Sequence, residues 1–229
     1  MNKNTTPISN IIDLFGIASP PENDVVSPEP KLEDMIPPNL HSQILIIPNF
    51  IQDLDCKFLV DYASKQPELT LGTTDGSSVV VDKKIRNTTT VQFDGEVGGG
   101  IIDLMKSTVI NCVNPAYKVE VKSMEMPQLL KYEIGGHYDT HVDGEVKIGK
   151  NEWKKVNGRD ISIILYLNDD FGGGELVFPH QHITIKPQAG MLVVFPSNHY
   201  FAHSVTPVTK GTRYSIVSWA SLEDLETTE

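Results

Sequence analysis

The stretch "YDTHVDGE", residues 138–145, sets two strong metal ligands, His141 and Asp143, on either side of one apolar residue, Val142. Side chains at i and i+2 of a β-strand point to the same face. Read as a strand, the stretch therefore brings an imidazole and a carboxylate to one point and turns Val142 away. An H-x-D pair by itself is more often the solvated edge of a strand. The rest of the chain decides whether anything sits at that point.

Working outward, short strand-like runs dominate from residue 117 onward. They are "YKVEVKSMEM", "PQLLKYEI", "HYDTHVD", "ISIILYLN", "GELVF", "HITIKP", "GMLVVFP", "FAHSVTPV" and "RYSIVSWA", separated by turn signals such as "NDDFGGG" and "QAG". Closely spaced strands and turns imply an antiparallel sandwich or barrel. Upstream, "QILIIPNF" reads as a strand. "QDLDCKFLVDYASKQ" reads as an amphipathic helix with Leu54, Phe58, Leu59 and Tyr62 on one side. "SVVVDKKIRNTTTVQF" reads as two short strands or a hairpin, and "GGGIIDLMKSTVINCV" as a second helix with the glycines before its start. The expected class is α+β, a jelly-roll core with supporting N-terminal helices.

Residues 1–40 read differently. Pro20, Pro21, Pro28, Pro30, Pro37 and Pro38 exclude a helix or a central strand there, which leaves an extended linker or strap. Before them, "ISNIIDLFGI" places Ile8, Ile11, Ile12 and Phe15 at helical spacing, with Ser9 or Asn10 available as a cap. The globular domain is expected over residues 41–229.

The 229 residues suffice for one sizeable core. A formal net charge of −11 argues against a nucleic-acid surface, which needs concentrated Lys and Arg. Cys56 and Cys112 are far apart and outside any C-x-x-C pattern, so neither a disulfide scaffold nor a Cys-based zinc site is expected. No signal-peptide pattern and no run of transmembrane length is read, so the expected setting is cytoplasmic, reducing and off the membrane. Such a setting suits a site that holds Fe(II). The oligomeric state stays open.

A metal needs a third ligand, and the other histidines are His41, His137, His180, His182, His199 and His203. His180 and His182 fall in a turn-rich stretch with no arginine at hairpin distance, which suggests surface residues. His137 and His199 suggest supporting or exposed positions. His203 opens "HSVTPVTKGTRYSIVSW", read as strand, turn near Gly211, strand. On the return arm Arg213, Ser215, Val217 and Trp219 share one face, so His203 and Arg213 would reach one cavity from adjacent strands. An inward arginine requires an anion. Two histidines and a carboxylate with open positions suit non-haem Fe(II) that activates O2, and the arginine suggests a carboxylate-bearing co-substrate.

These motifs together resemble the Fe(II)/2-oxoglutarate dioxygenase superfamily, and within it the prolyl 4-hydroxylase-like branch. His141 and Asp143 match its H-x-D, His203 its distal histidine and Arg213 its basic residue ten positions on. "YEIGGHYDTHVD", "RDISIILYLND", "FGGGELVFP" and "PQAGMLVVF" resemble the segments between. The likeness covers residues 128–220 and implies a double-stranded β-helix. It further implies that His141, Asp143 and His203 bind Fe(II), and that Arg213 and Tyr166 hold the far carboxylate of 2-oxoglutarate. Tyr132 would lie near the metal end of that co-substrate, with Ser215 and Trp219 lining the pocket. The implied activity is hydroxylation of an unactivated C–H, foremost on a prolyl residue of a peptide or protein, Pro-rich segments among them, releasing succinate and CO2 with ascorbate as reductant. Collagen-type relatives carry lysine where this chain has Arg213, which leaves the substrate subgroup open.

Three other readings compete. A non-catalytic jelly-roll module could hold a metal or peptide, but gives Arg213 and Tyr166 no purpose. A hydroxylase of the same superfamily could act on a non-prolyl substrate. A nucleic-acid demethylase is opposed by the net charge and by Trp219 standing six positions after Arg213. The insertion "EVKIGKNEWKKVNG" gathers Lys147, Lys150, Lys154 and Lys155 around Trp153. It reads as a solvated hairpin or as a mobile lid over a peptide. Gly172, Gly173 and Gly174 read as a tight turn, not a phosphate cradle. Tyr138, Phe178 and Phe195 read as core.

Overall fold

The longest strand, Arg213–Ser221, is buried at every one of its nine positions, so both its faces need cover. A computed structural model describes residues 43–70, 73–74, 79–80, 82–150, 152–156 and 158–223. The helix expected near residues 8–15, the proline-rich strap and His41 lie outside them. Arg213–Ser221 sits inside an eight-stranded sheet, between Ile161–Tyr166 and Gln128–Tyr132. Leu192–Pro196 and Leu45–Ile47 extend one side, and Thr89–Val91 and Glu68–Thr70 the other. Ser123–Met124 also pairs with Arg213–Ser221. A second, five-stranded sheet runs Ile183–Ile185, Leu176–Phe178, His203–Val205, His137–His141, Arg86–Asn87. Pairings in both sheets are antiparallel.

Alternation along the strands sorts side chains into two cores. Tyr214, Ile216 and Ala220 join Ile161, Ile163 and Leu165 in a cluster with Leu59, Ile101 and Met105 of two helices, Asp53–Ala63 and Gly95–Thr108. Val217 and Trp219 join Ile164 and Tyr166 on the opposite side, against Leu176, Phe178 and Val205 of the second sheet. Each fully buried side chain of this size contributes roughly 1.5–3 kcal/mol. The result is helices on one side of a sheet and a second sheet on the other, the α+β double-stranded β-helix that the strand pattern implies. Among the described residues no helix is long and apolar enough to cross a membrane.

The structure corrects several local expectations. The first helix turns Cys56, Leu59 and Ala63 inward, leaving Leu54 75% exposed and Phe58 exposed. Gly98 and its two glycine neighbours lie inside the second helix, which starts at Gly95. "YKVEVKSMEM" yields only the strand Ser123–Met124, because Tyr117 ends a helix and Lys118 takes a left-handed conformation (φ 55°). "SVVVDKKIRNTTTVQF" holds short strands and, among the described residues, no hairpin between them. Its strands Arg86–Asn87 and Thr89–Val91 join different sheets. The largest correction concerns His203 and Arg213, which are not on adjacent strands. Their strands belong to the two facing sheets, and the intervening Val208–Lys210 pairs with Gly172–Gly173.

Candidate metal centre

His141 ends the strand His137–His141, and His203, directly opposite in register, begins His203–Val205. Asp143 lies two residues beyond the strand, so the chain's bend, not strand periodicity, carries its carboxylate back to the imidazoles. His141 Nε2 stands 3.5 Å from Asp143 Oδ1, and His203 Nε2 stands 3.6 Å from Asp143 Oδ2. The three ligand atoms lie within 4.8 Å of one another. His141 Nδ1 is 2.8 Å from the Asp139 carbonyl and His203 Nδ1 is 3.0 Å from the Phe201 carbonyl. A carbonyl only accepts, so each Nδ1 carries the proton and each Nε2 presents a lone pair. Two lone pairs and a carboxylate facing one another repel unless a cation sits between them. Separations near 3.5 Å suit neighbouring positions around a cation ligated at about 2.1 Å.

Electrostatics bear on Asp143 and His203. Burial resists ionisation of Asp143, but the His203 and His141 imidazoles and the Ser162 hydroxyl outweigh it and hold the carboxyl well below its usual range. Burial, then His141, pushes the His203 imidazole down to about 4 despite the opposing Asp143. A neutral His203 imidazole beside the ionised Asp143 carboxylate is ready to ligate a metal. Ser162 donates to Asp143 Oδ2 at 2.7 Å and also meets Ser197 Oγ at 2.7 Å. Tyr138 stacks on His141 (3.5 Å between centroids, 15°), while Phe178 and Phe195 flank His203.

Across from this cluster the larger sheet presents a buried arginine. Arg213 is only 2% exposed, with Cζ 4.7 Å from the Tyr132 ring centroid and 4.9 Å from that of Tyr166. Nη1 donates to Ser215 Oγ at 3.1 Å. Arg213 Nε and the Tyr166 hydroxyl have no hydrogen-bond partner, and no carboxylate pairs with Arg213 among the described residues. A buried guanidinium left this way costs several kcal/mol, on the order of 3–5. The unpartnered donors thus fit an anionic group, such as the carboxylate of a 2-oxo acid. Burial raises the Tyr166 phenol, with Arg213 offsetting part of that, so the hydroxyl remains a donor. Trp219 packs in the same inner cluster. The Arg159 guanidinium lies 3.8 Å from the Trp219 ring centroid and is held by Glu125, including a 2.7 Å contact.

Other expected positions fall elsewhere. His180 and His182 are exposed on the turn after Leu176–Phe178. His137 bonds the Gly135 and Lys84 carbonyls at 2.9 Å each. Gly172–Gly173 forms a bulged pairing, not an anion cradle. Ser162, Ser197 and the stacking of Tyr138 on His141 were not anticipated. Ser162 was legible, since it shares the period-2 face of Tyr166 within "ISIILYLN". Nothing local marks Ser197.

Residues 127–221 match the family model described as 2OG-Fe(II) oxygenase superfamily. A PKHD-type hydroxylase of Aliarcobacter butzleri is 39% identical over 102 residues, covering 43% of this chain and 44% of that protein. The chain spans less than half the length of the first curated relatives it matches, 41 to 44% over three PKHD-type hydroxylases. In fold, it is similar to the viral collagen prolyl hydroxylase of Paramecium Bursaria Chlorella virus-1 (TM-score 0.60, 20% identity, 79% of this chain, 97% of that one). It is also similar to a prolyl hydroxylase from Trichoplax adhaerens in complex with a hypoxia inducible factor peptide (TM-score 0.59, 20% identity, 79% and 84%). Such a family implies Fe(II) and 2-oxoglutarate, and the His141, Asp143 and His203 donors and the empty-handed Arg213 suit both. Residues 127–221 are thus similar to the 2OG-Fe(II) oxygenase superfamily, and the fold is similar to that of solved prolyl hydroxylases.

Proposed function

We propose that the protein is an Fe(II)- and 2-oxoglutarate-dependent hydroxylase acting on a residue of a peptide or protein, foremost a prolyl residue. One observation carries this reading. A buried guanidinium and a buried phenol, both with unpartnered donors, stand across the inter-sheet space from a His-Asp-His cluster. His141, Asp143 and His203 would hold Fe(II), and Arg213 with Tyr166 would take the far carboxylate of 2-oxoglutarate in a charge-assisted contact. The bound iron would supply O2 activation, in which O2 is the oxidant, 2-oxoglutarate gives two electrons and becomes succinate and CO2, and C–H becomes C–OH, one oxygen atom going to each product. The protein's own part is positional. Ser162 fixes the Asp143 carboxylate, Phe178 and Phe195 keep water from His203, and Tyr132 packs against Arg213. Support for a polypeptide substrate comes from the Trichoplax adhaerens neighbour, whose structure holds a peptide. The prolyl target follows the names of the neighbours.

Succinate release from 2-oxoglutarate, with Fe(II) and ascorbate, tests the reading in wild type and Arg213→Ala. The variant is expected to lose at least about 100-fold in kcat/KM for 2-oxoglutarate, since a buried charge-assisted pair contributes on the order of 3 kcal/mol. A mass gain of one oxygen on proline-containing peptides identifies the target. Wild type that binds peptide yet releases no succinate would make the domain a binding module instead.

A further inference from the structure

The insertion after Asp143 forms a two-stranded hairpin, Glu145–Lys147 with Trp153–Lys155. Its register places Glu145 opposite Lys155, Lys147 opposite Trp153 and Val146 opposite Lys154. Because cross-strand partners share a face, the hairpin has two distinct sides. One side is fastened to the body. Glu145 Oε2 accepts from the His199 backbone N–H at 2.7 Å and sits 2.6 Å from His199 Nδ1. Trp153 lies parallel to the His199 ring, 5.0 Å between centroids at 6°. Lys155 bonds Asp160 at 2.8 Å and Glu223 at 3.1 Å. A single imidazole is thus bonded by one strand of the hairpin and stacked on by the other. The base is equally fixed, since Gly144, next to Asp143, donates to the Ser197 carbonyl at 2.8 Å.

The other side is free. Val146 and Lys154 are exposed there, and Ile148, towards the bend, is 54% exposed. Lys150 and Lys154 have no ion-pair partner among the described residues, whereas Lys155 has two, and Lys147, on the fastened face, lies 5.9 Å from the Trp153 ring centroid. Glu145 is committed to His199, so Glu152 alone offsets these cations within the hairpin. Against a chain of net charge −11, this is a local basic surface on a hairpin that begins two residues after Asp143. Trp153, moreover, is stacked on His199 and so faces the body of the protein.

We propose that the hairpin is a fixed recognition arm for polypeptide substrates carrying acidic residues beside the target, and that His199 is the positioning residue that holds it. The word substrate rests on the hydroxylase reading above; the arm and its preference do not. Lysines 150 and 154 would meet the acidic side chains, and Val146 and Ile148 the apolar ones between them. Surface charge pairs contribute modestly, about 0.2–1 kcal/mol each, so the arm biases selection without dominating affinity.

Two measurements on the full chain decide it. The first is trypsin cleavage after Lys150 and Lys154, with tryptophan emission recorded alongside. His199→Ala should speed cleavage about tenfold and shift the Trp153 emission to the red, while His199→Phe, which keeps a stacking ring, should fall between. Unchanged cleavage and emission in His199→Ala would overturn the positioning role. The second is fluorescence anisotropy with two labelled decapeptides that share a proline core and differ only in Glu or Lys flanks. Wild type should favour the Glu-flanked peptide about tenfold at low salt and less at high salt. The double variant Lys150→Glu, Lys154→Glu should reverse the order, and His199→Ala should weaken it. Equal wild-type affinity for both peptides would sink the acidic preference. Neither measurement needs turnover, so a wild type without succinate release defeats the hydroxylase reading separately.

Discussion

Ser162 is the residue on which the geometry of Asp143 depends. Its hydroxyl reaches from the larger sheet to Oδ2, fixing the carboxylate between two imidazoles that present lone pairs, not protons. Groups that orient a metal ligand without touching the metal typically change affinity by about 10-fold to 100-fold. Ser162→Ala should therefore weaken Mn(II) binding by about that factor in a calorimetric titration, with the fold intact, because Ser162→Ala removes one oxygen from a buried strand position. Affinity equal to wild type would mean that Asp143 is held by its backbone alone. At this scale the sequence was most informative where chemistry forces a residue type. His141, Asp143, His203 and Arg213 announce themselves because few other reasons place such groups at those spacings. Ser197 did not, since a serine at a strand end has many ordinary explanations.

Elements were legible in kind and less so in pairing. Alternation in "ISIILYLN" and "RYSIVSWA" correctly named strands, yet the same alternation in "VEV" at 119–121 marks only side chains leaning on the core, without a neighbouring strand to bond. Periodicity reports which side a residue faces; a ladder needs a partner that local sequence does not contain. Leu54 and Phe58 misled for a related reason. The helix carries two overlapping stripes, and the one with small Cys56 and Ala63 packs closer to the sheet. The turn at Gly211 (φ 71°) was real, but a turn signal cannot distinguish a hairpin from a crossing between sheets. Another positive-φ glycine shows how an element can govern the Arg213 end alone. Gly174 sits at φ 68°, and a Cβ there would lie 3.0 Å from Arg213 Cδ and 2.9 Å from the Phe171 ring. Gly174→Ala combines a left-handed cost of roughly 1 kcal/mol with a push on the guanidinium. It should weaken 2-oxoglutarate binding about tenfold or more while leaving Mn(II) binding alone, both read by calorimetry. Undiminished 2-oxoglutarate affinity would show that Arg213 is not the anchor or that it swings freely.

Across the whole molecule, the two halves of the site belong to different sheets. His141 and His203 ride on the five-stranded sheet, whereas Arg213, Tyr166 and Ser162 ride on the eight-stranded one. Packing across the inner cluster joins the sheets, and Ser162 adds one polar link. On the proposed function, metal alone engages chiefly the smaller sheet and its Asp143 bend, and 2-oxoglutarate alone meets only the Arg213 end. Together they would tie the sheets through one continuous set of contacts. A ligand at 100 times its Kd stabilises the folded state by about 2.7 kcal/mol, and in a chain of this size each kcal/mol moves Tm by about 2–4 °C. Under anaerobic conditions, thermal melts with Mn(II), with 2-oxoglutarate and with both should therefore show a combined shift larger than the sum of the separate ones. Arg213→Ala should keep the Mn(II) shift and lose the surplus, whereas His203→Ala should lose both. Simple additivity in wild type would mean that the metal and the anion sites act independently, and that the space between the sheets is not bridged by a shared ligand.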